Sequence, residues 1–370
     1  MRSLSEGCCI YRVPQETRCL NESDFTPQVI SIGPLHHGKE ELKEMEEHKR
    51  RYLKHFLQRT KVGIEEFLTF IKDKEAKLRS YNSENIELTS DAFVTMILVD
   101  SIFMIECLLR YSNPDLVTND DRIFGKSLYI HLQGPAGANT LLVNQLPFFI
   151  LNDLFILAKT AIHGEVLDGL SLIELVISLM RDLAGRVLLI QKNILEQHFS
   201  KAEHMLDLLR LCLEPSDERS SQPQSIPNAT ELHQAGVKFQ VGSSEHLLNI
   251  TINKGILEIP LLTIYDTTEG LFRNLHAFET VHCDSCYING YIIMMKNLVV
   301  TANDADLLVQ NGYSALVQDL KAYCRYPLHR WKANLKQNYF NTPWASISVI
   351  AAVVLLLFTI IQAVCSIIAL

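Results

Sequence analysis

The sequence predicts a mainly α-helical α+β fold with a small antiparallel β-sheet, followed by one C-terminal transmembrane helix. Three patterns predict it. Apolar residues recur at helical spacing in several stretches between Gly38 and Leu213 and again from Thr268 to Asn341. Between these, VKFQV, HLLNITI and ILEIPLLTI are short and rich in β-branched residues, as strands are. Finally, Trp344 to Leu370 carries no charged side chain, and about 20 such residues at roughly 1.5 Å each cross a hydrocarbon core of roughly 30 Å.

Each element follows from its own residues. Leu42, Met45, Tyr52, Leu53 and Phe56 form the inner stripe of a first long helix, whose outer face is expected to pair Glu46 with Arg50 and Glu47 with Arg51. Thr89, Ser90 and Asp91 supply N-cap candidates for the apolar helix AFVTMILVDSIFMIECLLRY. That helix carries Asp100 and Glu106 near its middle, and a six-residue separation is about 240° around the axis. The two carboxylates therefore do not share a face, as a paired acid and base would. In NQLPFFILNDLFILAK the proline has no N–H for the carbonyl of Val143, so Asn144 and Gln145 are expected to satisfy backbone groups at that helix start. Leu167 to Leu213 is again helical in period. EPSDERSSQPQSIPNA, at 214–229, reads as a polar loop, and the sheet follows near 237–264. No internal repeat is present. Residues 1–343 are thus read as one helical domain and 344–370 as the span, with Tyr339, Phe340 and Trp344 at the membrane interface and Pro343 at the helix entry.

Composition narrows the function. With 48 % hydrophobic and 21 % charged residues the chain has material for a substantial core. A net charge of −8 and a pI near 5.9 argue against nucleic acid as a partner. Nine cysteines without regular spacing suit a reducing compartment. MRSLSEGCCIYRVPQETRC has no apolar run of signal-peptide length, so the domain is expected to start in the cytosol.

Two stretches invite a chemical reading. SIGPLHHG places His36 beside His37, but sequence neighbours diverge, and a metal would need ligands from elsewhere. The expected role is structural: Gly33-Pro34 and Gly38 shape a tight turn, and the imidazoles bond its exposed backbone groups. VHCDSC presents Cys283 and Cys286 at a spacing that suits zinc or a redox disulfide, yet no second ligand pair accompanies them. The phosphate-cradling, dinucleotide, zinc-protease and serine-hydrolase signatures are all absent from the sequence. No catalytic residue, metal or cofactor is therefore expected.

Taken in order, several motifs resemble those of the plant family known as domain of unknown function 247. They are IYRVP (Ile10 to Pro14), PQVISIGPLHHG (Pro27 to Gly38) and the Met-Glu-x-His-Lys pattern of Met45, Glu46, His48 and Lys49. Next come the helix with Asp100, Phe103 and Glu106, NQLPFF (Asn144 to Phe149) and ATELHQAGVKF (Ala229 to Phe239). LEIPLL (Leu257 to Leu262), FRNLHAFE (Phe272 to Glu279) and YFNTPW (Tyr339 to Trp344) complete the series. The sequence departs from the pattern at VHCDSCYINGYI, with its paired cysteines, and at a shortened stretch from Leu307 to Trp331. The resemblance implies a mostly helical, single-pass membrane protein without an established activity, in a group some of whose members are associated with pollen–stigma recognition.

Two functional expectations follow. The favoured one is a membrane-tethered protein-interaction or recognition protein; the alternative is an enzyme of unrecognised type using His36 or the Cys283/Cys286 pair. Lys321, Arg325, Arg330, Lys332 and Lys336 precede the span while no charged side chain follows it, which favours a tail-anchored, cytosolic domain. Three glycosylation sequons, at Asn21, Asn228 and Asn249, point instead to an extracellular or lumenal domain.

Overall fold

A computed structural model describes residues 7–19, 22–124, 141–161, 167, 169–188, 190–215, 226–244, 246–263, 268–283 and 286–310. The expected span at 344–370, and Tyr339, Phe340 and Trp344 with it, lie outside the described residues.

The described chain is mainly helical. Its helices are α1 (Gln15–Arg18), α2 (Lys43–Thr60), α3 (Ile64–Asp73), α4 (Glu75–Ser80), α5 (Ser90–Ser112), α6 (Phe148–Ala161) and α7 (Leu172–Val187). They continue with α8 (Lys192–Phe199), α9 (Met205–Leu213), α10 (Ala229–Gln234), α11 (Thr268–His282), α12 (Tyr287–Leu298) and α13 (Ala302–Gln310). At the centre is α5. Its N-terminus is capped by Thr89, whose hydroxyl accepts from the Ala92 N–H at 3.3 Å. Every residue from Met96 to Arg110 is buried, so the helix is apolar all round because it is enclosed all round by α2, α3, α6 and α7. It is long and apolar enough to cross a membrane, but 89 % of its most apolar stretch is buried inside the fold. It is a core helix.

On α2 the inner stripe is Met45, His48, Lys49, Tyr52, Leu53 and Phe56. The expected outer pairs do not organise this helix. Glu46 bonds the Lys49 ammonium at 2.5 Å, and Arg51 lies 3.3 Å from Asp120.

The sheet is mixed, where the strand patterns predicted an antiparallel one. Its strands are β1 (Lys238–Val241), β2 (Thr251–Asn253) and β3 (Ile256–Ile259), in the order β1-β3-β2. Each strand reverses the direction of the one before it, and three such strands are fully antiparallel only with the second in the middle. Here β3 is in the middle, so it runs parallel to β1 and antiparallel to β2. The β2–β3 hairpin turns on Lys254 and Gly255, both at positive φ (49° and 79°), the geometry of a two-residue loop. Phe239 and Leu257 face a satellite core with Ala229, Leu298 and Leu308, which joins the sheet to α10, α12 and α13.

Candidate functional site

The segment Ile30–Gly38 passes through Ser31 and Ile32 without regular secondary structure and then turns. Ile30, Ser31 and Ile32 are buried yet belong to no strand, so their backbone groups need partners from side chains. Asn144, just before α6, supplies two: its Oδ1 accepts from the Ile32 N–H at 2.6 Å and its Nδ2 donates to the Ile30 carbonyl at 3.1 Å. Lys49 on α2 donates to the Ser31 carbonyl. Asp100 on α5 accepts from the Gly33 N–H at 2.9 Å and receives Lys49 Nζ at 2.7 Å. Three elements thus act together as the missing neighbouring strand.

Electrostatics act on the two partners in opposite senses. Burial opposes the Lys49 charge, and the Asp100 and Glu46 carboxylates more than offset it, so the ammonium titrates above the ordinary lysine value. Burial pushes the Asp100 carboxyl up, against the pull of Lys49. Asn144 was expected to serve the start of its own helix; it serves a segment more than 100 residues away in the chain, while Gln145 Nε2 donates locally to the Leu141 carbonyl at 2.8 Å.

Other buried polar residues, inside the motifs and outside them, behave alike. Asp121 accepts from Tyr52 Oη, from Arg110 Nη1 at 2.6 Å and from the Ile123 and Phe124 amides. Burial pushes its carboxyl up, but His48, with Nε2 3.8 Å away, the Phe124 and Ile123 amides and the Tyr52 hydroxyl outweigh it and hold the carboxyl well below the usual range. Glu106 takes Arg59 and Arg110, apart from Asp100 as the helical spacing predicts. In FRNLHAFE, Asn274 bonds the Leu142 N–H and the Asp24 carbonyl, and Glu279 accepts from the Ile288 and Asn289 amides at the start of α12. Asp304 gathers Thr230 and Thr301 at the start of α13. His204, fully buried, accepts from the Asp207 N–H on Nδ1, which leaves Nε2 to donate to the Cys9 carbonyl at 3.1 Å. Burial lowers its pKa to about 4. Of these, Asp121, Arg110, His204 and Asp304 were not singled out in the sequence, because part of each one's partner set is remote in it: Tyr52 for Asp121, His55 for Arg110, Cys9 for His204 and Thr230 for Asp304.

The two predicted candidates look different. At Gly33 (φ 75°) a Cβ would lie 2.7 Å from the Gln145 carbonyl oxygen, so glycine is required there. A single 3-10 turn, Pro34–His36, and Gly38 (φ 80°) complete the bend. His36 is only 4 % exposed, yet neither ring nitrogen has a hydrogen-bond partner. The expectation that the imidazoles bond the turn is thus not met at His36. Burial and the charges of Lys39, Arg12 and Arg18 lower its pKa to about 4. His37 is half-buried, with Nδ1 also buried and unpartnered. Cys283, after α11, is half-buried with its thiol pushed up to about 11, chiefly by burial, and Cys286 is exposed before α12. Beside Cys283, His282 Nδ1 lies 3.0 Å from the Tyr11 hydroxyl, which donates to the Cys8 carbonyl. Among the described residues no group of three or more His, Cys, Asp or Glu side chains is placed to hold a metal.

A family model described as a plant protein of unknown function, DUF247, matches residues 10–313 and 310–358. The chain belongs to this family. Within it, the chain is 25 % identical to UPF0481 protein At3g47200 of Arabidopsis thaliana, over 96 % of this chain and 86 % of the relative. It is 22 % identical to putative UPF0481 protein At3g02645 of the same plant, over 95 % and 89 %. No solved structure matches. In this DUF247 chain, the polar motif residues are in large part cross-links between segments distant in sequence.

Proposed function

We propose that this DUF247 chain is a membrane-tethered protein-interaction or recognition protein, with its helical domain held at the bilayer by residues 344–370. The observation that carries the reading is the uncharged apolar run Trp344 to Leu370, approached through Tyr339 and Phe340. The basic residues from Lys321 to Lys336 support a cytosolic domain. Free thiols at the exposed Cys19 and Cys286 suit a reducing compartment. An enzyme acting through His36 or the cysteine pair has less support. A general base is normally oriented by an acceptor, and the charges bearing on His36 are cations. A thiol raised to about 11 is a poor nucleophile at neutral pH.

Deleting Trp344 to Leu370 is expected to move the protein from the membrane fraction to the supernatant; retention through a high-salt wash would overturn the tether. Orientation is read with an endoglycosidase on plant-expressed protein, where no mobility shift is expected. A shift abolished by Asn249→Gln would place the domain in the lumen or outside the cell. Asn249 is exposed and suits this test. Asn228 is a second test position, because only its Oδ1, and not the Nδ2 that would carry a glycan, takes part in capping α10. Proximity labelling from the full chain then identifies partners.

A further inference from the structure

The end of the sheet at the β2–β3 hairpin combines three features. Lys254 takes a left-handed φ of 49° in the turn, a conformation that costs a residue with a long side chain and that glycine or asparagine adopts more cheaply. It is exposed, and so is Lys238, which starts β1 at the same end and whose N–H donates to the Gly255 carbonyl at 2.8 Å. Neither lysine has an ion pair among the described residues. Glu231 and Asp304 are engaged at the starts of α10 and α13, and Glu258 lies two residues in from Ile256, the partner of Lys238. Ile252 is 64 % exposed, although it pairs in register with Leu257, which pairs in turn with Phe239. Partners in register share a face of the sheet. Ile252 therefore continues the buried row of Phe239 and Leu257 beyond the helices that cover those two.

We propose that this end of the sheet, with Lys238, Lys254 and Ile252, docks on the anionic lipid surface of the membrane that holds the span. The inference rests on the tether and the cytosolic orientation proposed above. Charge complementarity selects the surface. In a chain of net charge −8, this end presents two unopposed ammonium groups, and each gains from the negative potential of a cytoplasmic leaflet. Their long stems let the ammonium groups meet lipid headgroups while the apolar Ile252 reaches the boundary beneath them. Chain order supplies the proximity. The last described helix, α13, packs in the same satellite core through Leu308 and is tied to α10 by Asp304 and Thr230, and residues 311–343 lead from it to the expected span. The sheet and its helices are thus the part of the fold joined most directly in sequence to the tether, which raises the local concentration of lipid enough for a few contacts to count.

The test uses the full chain in nanodiscs of phosphatidylcholine, with and without phosphatidylserine, and reads hydrogen exchange of the segment from Ile250 to Leu257. The expected result is exchange slowed several-fold by phosphatidylserine, with the docked form reduced about fivefold by each of Lys238→Gln and Lys254→Gln and the slowing lost at high salt. Both lysines are exposed and unpaired, so each variant is expected to match the parent's exchange in phosphatidylcholine discs. Slowing that is equal in the two kinds of disc, or that survives the paired lysine substitution, overturns the docking. Protection that instead rises with chain concentration in lipid-free detergent overturns it too, and assigns the edge to a second copy of the chain. Co-elution of the chain with the discs reads the tether separately; if the chain fails to insert, the same comparison on added vesicles of the two compositions still reads the lipid contact.

Discussion

Gly33 and His36 stand three residues apart in one bend, and their polar surroundings are opposites. At Gly33 the backbone N–H meets Asp100, the neighbouring Ser31 carbonyl meets Lys49, and the cation is matched by two carboxylates. At His36 two buried nitrogens have no hydrogen-bond partner among the described residues, and Lys39, Arg12 and Arg18 bear on the ring. Both positions fall in one sequence motif, so pattern alone assigns them one role. Their chemistry separates them: a polar group that the fold satisfies is holding the fold, whereas one left unsatisfied is held in place by its neighbours.

The largest test of that contrast is at Lys49. Lys49→Met leaves Asp100 buried without its cation and is expected to destabilise the full chain by about 3–5 kcal/mol in denaturant unfolding. His36→Gln, made in a side chain with no hydrogen bond to lose, is expected to stay within about 1 kcal/mol of the parent. Equal losses at the two positions would erase the distinction. Next in size is Gly33→Ala. A left-handed φ with a methyl against the Gln145 carbonyl oxygen is expected to lower stability by about 3 kcal/mol in the same measurement, while Gly38→Ala, with open space around it, loses only about 1 kcal/mol for its φ.

The smallest effect sharpens the comparison through pH. His36 and His204 stay neutral in the folded chain down to about pH 4, against an ordinary value of 6.5. The unfolded chain therefore takes up those protons first. Their contribution to stability is fully present above pH 6.5 and is lost progressively as pH falls toward 4, by up to about 1.4 kcal/mol per unit for each histidine. In His36→Gln the slope of unfolding free energy between pH 6 and 5 is expected to fall by about half that of the pair. An unchanged slope would remove His36 from the account.

Much of the helical architecture was legible because burial of one face imposes a 3.6-residue period, as Met45, Tyr52, Leu53 and Phe56 do on α2. The turn at Gly33-Pro34 and Gly38 was legible for a related reason, since only glycine adopts those φ values freely. What escaped is long-range. Asn144 could be read as a residue that satisfies backbone groups, but nothing in NQLP names Ile30 and Ile32 as its partners. Glu46 sits at the right spacing for Arg50, yet the buried Lys49 ammonium is the stronger claim on it. Strand order escaped as well, because β-branched runs reveal strands and not their neighbours.

The way the first residues are held sets a timetable for synthesis. Ile10, Val13, Phe25, Ile30 and Ile32 are almost wholly buried, and their segment is tied to Lys49, Asp100, Asn144, Asn274 and, through Tyr11, His282. At roughly 5–20 residues per second, the ribosome needs roughly 12–50 s to pass from Gly33 to His282. Throughout that interval the earliest apolar side chains have been made and the last of their anchoring partners, His282, has not. The nascent chain must wait with them exposed, which makes its N-terminal segment the natural substrate for chaperones during biogenesis.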